Sequence, residues 1–204
     1  MKVFMCLLLL MVVGCTLIFA MTENVLECAA VAAPFGMEDG HIPDASITVS
    51  SQFSNSLAPT RVRLNSQAES GTSGWCKGNL EIRRSGNQEV DSWIQVDLGF
   101  TSIITSVITQ GYGDTSWVAS FKVAYSDDGQ EWTAVTNNGS SFPGNYDSNT
   151  QVTTSFPRAF QARFLRIVPT ACTDDTQCIC MRFEVVGCCA CRCPVRRVPF
   201  ITHV

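Results

Sequence analysis

The chain has 204 residues, of which 46% are hydrophobic and 16% are charged, and its formal net charge is −4. A chain of this length holds one domain of ordinary size with short extensions. Its acidic balance argues against nucleic acid as a partner and gives no overall attraction to an anionic membrane surface.

The first 21 residues, MKVFMCLLLLMVVGCTLIFAM, form one apolar run that begins behind Lys2. This is the pattern of a secretory signal peptide, and we expect residues 1–20 to be removed, with Ala20 last before the cleavage site. A retained signal anchor is the alternative, since about 19 apolar residues just span a bilayer. A lipoprotein signal ending at Cys15 fits less well, because the residues after it are apolar rather than a polar tether. We therefore expect a secreted, extracellular protein.

Nine of the eleven cysteines lie beyond residue 20. In an exported chain this usage indicates disulfide bonds. Because nine is odd, one thiol is free, pairs with another chain, or reflects where the sequence ends. The Cys-x-Cys spacings at 178/180 and 191/193 resemble metal-ligand pairs, but zinc or copper needs reduced thiolates, which export opposes. We expect no metal site there.

Short strand patterns separated by turn signals fill the chain, and no convincing helical period occurs. Between Trp93 and Gln110, apolar side chains alternate up to Leu98, Gly99 breaks the strand, and a β-branched run begins the next. The predicted strands are Ile47–Ser50, Val62–Leu64, Trp93–Leu98, Ser102–Gln110, Phe121–Ser126, Gln151–Phe156, Arg163–Val168 and Ile179–Val186. This pattern predicts an all-β antiparallel sandwich or jelly roll of about eight main strands.

Two pairs of oppositely charged residues lie on the predicted strands. Asp97 in VDLG and Arg166 in LRIV could serve as a catalytic pair, but a satisfied ion pair within the barrel is the better interpretation. Arg182 and Glu184 alternate with apolar residues on the last strand and are interpreted in the same way. Both pairs are therefore predicted to be structural.

The sequence carries no recognisable catalytic apparatus. Its two histidines are His41, in a DGHIPD turn, and His203, in the tail, so no Ser-His-Asp or Cys-His arrangement can be assembled. There is also no HExxH, GxSxG or glycine-rich phosphate loop. We therefore expect no catalytic residues and a protein that is not an enzyme.

Seven segments, in chain order, carry a resemblance to a known family. They are CAAVAAPFGMEDGHIPDASITVSS, WIQVDLG, SVITQG, FKVAYSDDGQEW, FPGN-D, ARFLRIVP and ICMRFEVVGC. Together they resemble the discoidin domain, or coagulation factor 5/8 type C domain, over residues 28–188, about four-fifths of the chain. The resemblance implies a distorted, galactose-binding-like jelly-roll barrel that holds its ligand on loops at one end. Residues 189–204 then form a cysteine-rich C-terminal tail.

The resemblance also implies disulfide pairs. The family joins its two terminal cysteines, some members have a second pair, and a third would close the insert ACTDDTQC. The implied pairs are Cys28–Cys188, Cys76–Cys180 and Cys172–Cys178. In most relatives a Trp stands near the position of Cys172, so this loop departs from the family pattern.

Three loops correspond to the ligand-binding end of the family. They are SQFSNSLAP at Ser51–Pro59, the long segment Cys76–Val90, and GYGDTSW at Gly111–Trp117. The candidate ligand-binding residues on them are Phe53, Leu57, Arg83, Tyr112, Asp114 and Trp117.

The chemistry of these loops fits two kinds of ligand. Aromatic side chains beside Asp and Asn suit a sugar, because a flat apolar ring takes its C–H face and polar groups take its hydroxyls. An apolar tip beside Arg suits insertion into a membrane. The structural alternative is that Phe53 and Trp117 only pack the bases of their loops. Trp75, Trp93 and Trp132 are assigned to the core.

Three smaller signals complete the sequence. Fucose-binding lectins of this fold use a His and a following Arg-x-Asp, which residues 61–65, RVRLN, do not supply after His41. Asp39 and Asp44 are a weak signal for structural Ca²⁺, because acidic turn residues are commonly just solvated, and no cofactor is expected. Asn138 begins the sequon Asn-Gly-Ser in a predicted turn and is the expected glycosylation site.

The sequence thus predicts a secreted, non-enzymatic, lectin-like binding module for cell adhesion or recognition. The expected partner is a cell-surface or matrix glycan or glycoprotein, and not nucleic acid. The alternative is peripheral binding to anionic phospholipid, with a local basic patch from Arg83 and Arg84, and it ranks lower because the chain is acidic. A third reading is an enzyme whose catalytic residues the sequence does not reveal, or the targeting module of a larger enzyme.

Overall fold

The computed structural model describes residues 28–51, 59–66, 74–76, 92–113, 116–172 and 180–190. The expected signal peptide, and the tail from residue 191 onward, lie outside these ranges. Within them, no helix has the length and apolar character that crossing a membrane requires.

Nine β-strands form the described fold, and every pairing between them is antiparallel. The strands are β1 (Ala33–Pro34), β2 (Ile47–Val49), β3 (Trp75–Cys76), β4 (Ile94–Gln110), β5 (Val118–Ser126), β6 (Thr133–Ala134), β7 (Phe142–Pro143), β8 (Val152–Cys172) and β9 (Cys180–Cys189). Their main order is β1-β9-β4-β8-β5-β6, with β2 on β4, β3 on β9 and β7 on β5. The all-β antiparallel prediction is confirmed.

The predicted strand Val62–Leu64 is wrong. Residues Pro59–Val62 form a 3-10 turn, and Arg63 makes only an isolated bridge to Phe183 of β9. Val62 and Leu64 are nevertheless buried. The apolar alternation was therefore produced by core packing of a turn and not by a strand.

Two predicted strand breaks are also wrong, because β4 and β8 each run through them. The β4–β8 ladder pairs Asp97 with Phe164, shifts register, and resumes with Ser102 opposite Ala162. Gly99 lies in this irregularity at φ +81°, a backbone angle that favours glycine. A bulge of this kind bends a strand without ending its ladder. Gly99 therefore marks a corner, which we call the β4 corner.

The bend places the two halves of β4 in different layers. The first half pairs with β2, whereas the second half pairs with β9, and β5 pairs with the last half of β8. The largest fully buried side chains, Trp75, Phe121 and Phe183, belong to the one core between these layers. Because β4 bends at its corner, its first and last residues both lie at the end of the barrel opposite to that corner.

Only one of three tryptophans assigned to the core is fully buried there. Trp75 is buried, but Trp93 and Trp132 are half-buried and cover the two faces of the Arg166 guanidinium. The Cζ atom of Arg166 lies 3.9 Å from the centre of the Trp93 ring and 3.7 Å from that of Trp132. Both indoles thus form a cation–π stack on the surface of the sheet.

The predicted ion pair between Asp97 and Arg166 is wrong. Asp97 instead accepts two hydrogen bonds of 2.8 Å from Arg163, whose guanidinium lowers the pKa of that carboxyl. The register places Gln95 directly opposite Arg166, and Arg166 Nε donates to its side-chain oxygen at 2.9 Å. Both aspartate and arginine are paired, as expected, but the register decides with which partner.

Two of the implied disulfides are present. Cys28 and Cys188 join the two ends of the domain with Cα atoms 5.6 Å apart, and Cys76 joins Cys180 across β3 and β9 at 4.1 Å. The pairing of Cys172 with Cys178 stays a prediction, because Cys178 lies outside the described residues.

Candidate functional site

Four of the six predicted ligand-binding residues lie outside the described residues. These are Phe53, Leu57, Arg83 and Asp114. Tyr112 and Trp117 are described, and so are the residues from which the chain enters and leaves each predicted loop. The position of these flanking residues is therefore the structural evidence on the site.

The residues that flank the three predicted loops lie together. The hydroxyls of Ser51 and Ser92 are 3.2 Å apart, and Trp75 donates its indole N–H to the carbonyl of Ser51 at 2.8 Å. Tyr112 packs against the Cys76–Cys180 disulfide. We call this set the rim base; its members are Ser51, Trp75, Cys76, Ser92, Tyr112 and Cys180. The chain enters or leaves all three loops through this one end of the barrel.

The Gly111–Trp117 loop is closed by its own backbone. The amide of Tyr112 donates to the carbonyl of Ser116 at 2.7 Å, and Ser116 donates back at 3.3 Å. Beneath it, a Cβ atom at Gly74 would lie 3.3 Å from the Tyr112 ring, so a larger residue there would push against the ring. Tyr112 is thereby held at the rim base.

Trp117 is half-buried at the base of this loop. Its indole N–H is buried and has no acceptor within the part of the chain that the structure describes. This burial fits the alternative in which Trp117 packs the loop base rather than offering its ring to a ligand.

Arg182 is a residue of this end whose role the sequence did not reveal. Its side chain is only 4% exposed and donates to three backbone carbonyls: Gly111 at 2.7 Å, Ser148 at 3.1 Å and Ser66 at 3.3 Å. Burial lowers the pKa of this guanidinium. One buried cation thus connects three separate segments to the beginning of β9.

A further loop, residues 144–150, lies beside the Gly111–Trp117 loop. A Cβ atom built on Gly111 would lie 2.6 Å from the Cα of Ser148 and 2.8 Å from the Cβ of Trp117. The amide of Asn145 donates to the carbonyl of Val118, the residue after Trp117, at 2.8 Å. The FPGN segment belongs to the resemblance, but this loop was not among the three predicted ligand-binding loops.

The predicted ion pair between Glu184 and Arg182 is wrong. Glu184 is 1% exposed, and its carboxylate accepts the amides of Glu38 at 3.0 Å and Val185 at 2.9 Å. The amide hydrogen bonds favour its charged form, but burial outweighs them and raises the pKa of Glu184. Arg182 and Glu184 therefore hold different loops, each through backbone groups.

This carboxyl should leave a signature in the pH dependence of stability. Because its pKa is raised above the usual 4.5, the folded chain binds more protons than the unfolded chain as the pH rises above that value. The stability contributed by Glu184 therefore falls with rising pH. We expect the free energy of unfolding of the wild type, minus that of Glu184→Gln, to decrease upward from about pH 4.5 in urea titrations.

The aspartates with lowered pKa serve as an internal reference for this measurement. Asp97, hydrogen-bonded to Arg163, contributes stability above its ordinary pKa of 3.8 and loses it as the pH falls further. The pH range over which Asp97 loses this stability lies below that of Glu184, and the wild type and Glu184→Gln share it. A difference between the two proteins that stays constant above pH 4.5 would contradict the prediction.

The two turn aspartates considered for Ca²⁺ have protein partners. Asp39 contacts the Nδ1 atom of His41 at 2.7 Å, and Asp44 pairs with Arg63. Among the described residues, no group of three or more His, Cys, Asp or Glu side chains is arranged to hold a metal ion. Asn138, the predicted glycosylation site, is exposed in a turn closed by a bridge between Asn137 and Ser140.

An antiparallel sheet folded over one core, with bent strands β4 and β8 at one end and the residues flanking the predicted loops at the other, defines a galactose-binding-like jelly roll. The sequence places it further: the chain belongs to the F5/8 type C domain family, whose profile matches residues 46–185. The resemblance to the discoidin domain is thereby confirmed.

Curated relatives agree with this family. Lactadherin of Sus scrofa is 35% identical over 188 residues, which cover 86% of this chain and 42% of lactadherin. Coagulation factor VIII of Sus scrofa is 36% identical over 163 residues, which cover 76% of this chain and 7% of the factor. The chain therefore spans about two-fifths of the length of the lactadherin it matches.

Solved structures show the same fold. Discoidin II from Dictyostelium discoideum aligns with a TM-score of 0.58 and 24% identity over 69% of this chain and 53% of that chain. CpGH89CBM32-5 from Clostridium perfringens, solved in complex with GalNAc-β-1,3-galactose, aligns with a TM-score of 0.51 and 14% identity over 71% of this chain and 97% of that chain.

Proposed function

We propose that this chain is a secreted, non-enzymatic binding module for adhesion or recognition, which binds a cell-surface or matrix glycan or glycoprotein. The binding surface is the rim, by which we mean the three predicted loops together with the rim base. The observation that carries the proposal is the convergence on the rim base of the residues flanking all three predicted loops. A rigid sheet that displays several loops at one end is a common way to build a binding surface.

Three further observations support parts of the proposal. The two disulfides fit an oxidising compartment, which supports secretion. A neighbour of the same fold, CpGH89CBM32-5, was solved with a disaccharide, which supports a glycan as the ligand class. The match of residues 46–185 to the F5/8 type C domain family supports a binding module rather than an enzyme.

The test is binding of the secreted chain to a glycan array, compared with the variant Tyr112→Ala. We expect this variant to lose about tenfold in binding, because an aromatic ring at the rim base supplies apolar contact to a sugar face. Tyr112→Leu keeps an apolar side chain against the disulfide and so separates ligand contact from folding. This variant should keep the wild-type melting temperature but bind the ligand as weakly as Tyr112→Ala does. Phe100→Ala, at the β4 corner, is the matched control and should bind like the wild type.

The phospholipid alternative is tested with the wild type and one further variant. Sedimentation with vesicles of phosphatidylserine and phosphatidylcholine that falls with salt, and is lost in Phe53→Ala/Leu57→Ala, would replace the glycan proposal. If the chain binds neither the array nor the vesicles, the proposed ligand classes are both wrong.

A further inference from the structure

We propose that Tyr146 is a sugar-contacting residue and that loop 144–150 provides a fourth wall of the rim, so that the ligand is a glycan rather than a membrane. This inference rests on the proposed function and extends it to a residue outside the three predicted loops. Tyr146 is 68% exposed, and only Val31 and Phe100 among the other described large hydrophobic side chains are exposed.

The loop that carries Tyr146 is held rigidly at both of its ends. Before Tyr146, the buried Asn145 side chain donates to the carbonyls of Thr109 at 3.0 Å and Thr150 at 2.9 Å. After it, the Asp147 carboxylate accepts the amides of Asn149 at 2.8 Å and Thr150 at 2.6 Å, and these bonds lower its pKa. An aromatic side chain on such a turn is presented at low cost in backbone entropy, as preorganised recognition requires.

The same loop is fixed to the rim by groups from β4 and β9. Gln110 donates its amide to the carbonyl of Asn149 at 2.8 Å, and Arg182 donates to that of Ser148 at 3.1 Å. The Asn145 amide also bonds to the carbonyl of Val118, which ties the residue before Tyr146 to the residue after Trp117. Tyr146 therefore shares its end of the barrel with the rim base.

The composition of the loop selects among ligand classes. Residues 144–150 read GNYDSNT, with no aliphatic and no cationic side chain. A membrane-inserting tip needs apolar residues with Lys or Arg beside them, which this loop lacks. A sugar needs an aromatic face and nearby hydroxyl or amide groups. Two residues of this loop carry such groups: Ser148 has a hydroxyl, and the exposed Asn149 has a side-chain amide.

The experiment compares Tyr146→Ala and Tyr146→Phe with the wild type on an array of glycans that includes β-linked galactose and N-acetylgalactosamine termini. We expect Tyr146→Ala to weaken binding about tenfold or more and Tyr146→Phe to stay within about threefold, because the ring and not the hydroxyl makes the contact. Phe100→Ala, which removes another exposed aromatic ring at the β4 corner, should bind like the wild type. The melting temperatures of all three variants should match that of the wild type, because neither ring belongs to the buried core.

The outcomes separate this inference from the proposed function. If Tyr112→Ala loses binding while Tyr146→Ala binds normally, the inference is wrong and the rim function stands. Loss in Tyr146→Ala and in Phe100→Ala alike would also overturn it, since the effect would not be local to the rim. If the wild type binds no glycan but sediments with phosphatidylserine vesicles or captures a protein ligand, the glycan assignment fails together with Tyr146.

Discussion

Replacing Cys28 and Cys188 together by serine is expected to lower the free energy of unfolding by about 5 kcal/mol, the largest effect of any change considered for this chain. The bridge closes a loop with a sequence separation of 160 residues, and the entropy that it removes from the unfolded chain grows with the length of that loop. The measurement is urea unfolding of the oxidised wild type and the double variant, followed by tryptophan fluorescence.

The Cys76–Cys180 pair provides the comparison. Its separation of 104 residues predicts nearly the same entropic contribution, but this bridge lies in the rim base beneath Tyr112. We therefore expect the double serine variant of Cys76 and Cys180 to lose a similar amount of stability and, in addition, to lose ligand binding. The folded fraction of the Cys28/Cys188 variant should still bind the ligand. If the Cys28/Cys188 variant unfolds at the same urea concentration as the wild type, the chain-entropy argument is wrong for this domain.

Replacing Arg182 by leucine is expected to cost about 3 kcal/mol or more, roughly 1 kcal/mol or more for each of three carbonyls left unsatisfied, and to abolish ligand binding. Leucine fills much of the space but leaves the carbonyls of Gly111, Ser66 and Ser148 without their donor in a buried setting. Arg182→Lys keeps the charge but loses the planar guanidinium that reaches three acceptors. Its stability should therefore lie between those of the wild type and Arg182→Leu. Unfolding in urea gives the stability, and the glycan array gives the binding of the fraction that stays folded.

Arg163→Leu is the matched control for this measurement. It removes a guanidinium that also makes well-formed hydrogen bonds, to Asp97, but that pair lies at the surface and exchanges readily with water. Its loss of stability should be much smaller than that of Arg182→Leu, and its ligand binding should not change. Equal losses in the two variants would show that Arg182 does not fasten the loops as its contacts indicate.

The sequence was sufficient for the fold class because β-branched runs and period-two alternation survive in every long strand. It failed at the corners. Gly99 looks locally like the end of a strand, yet the β4–β8 ladder resumes beyond it, because a bulge with a register shift absorbs the bend. Whether a glycine ends a strand or turns it depends on the partner strand, which local sequence does not contain.

The site was predictable to the extent that its loops are marked by the resemblance. Arg182 and Glu184 were correctly placed on the last strand, but their partners are backbone carbonyls and amides of distant segments, which have no sequence signature. Tyr146, which we propose as a ligand contact, has no such signature either. Its loop contains the end of the FPGN-D segment, and only tertiary contacts with distant residues, such as that of Arg182 with Ser148, place the loop beside the rim base.

The closeness of Cys28 and Cys188 has a mechanical consequence. Their Cα atoms are only 5.6 Å apart and covalently joined, so a pulling force applied through residues before 28 and after 188 passes across a single bridge. The strands and loops between those two cysteines form a closed ring that such tension does not stretch. Tension between the two flanking chains would thus leave the geometry of the rim base unchanged, until the sulfur–sulfur bond itself is reduced.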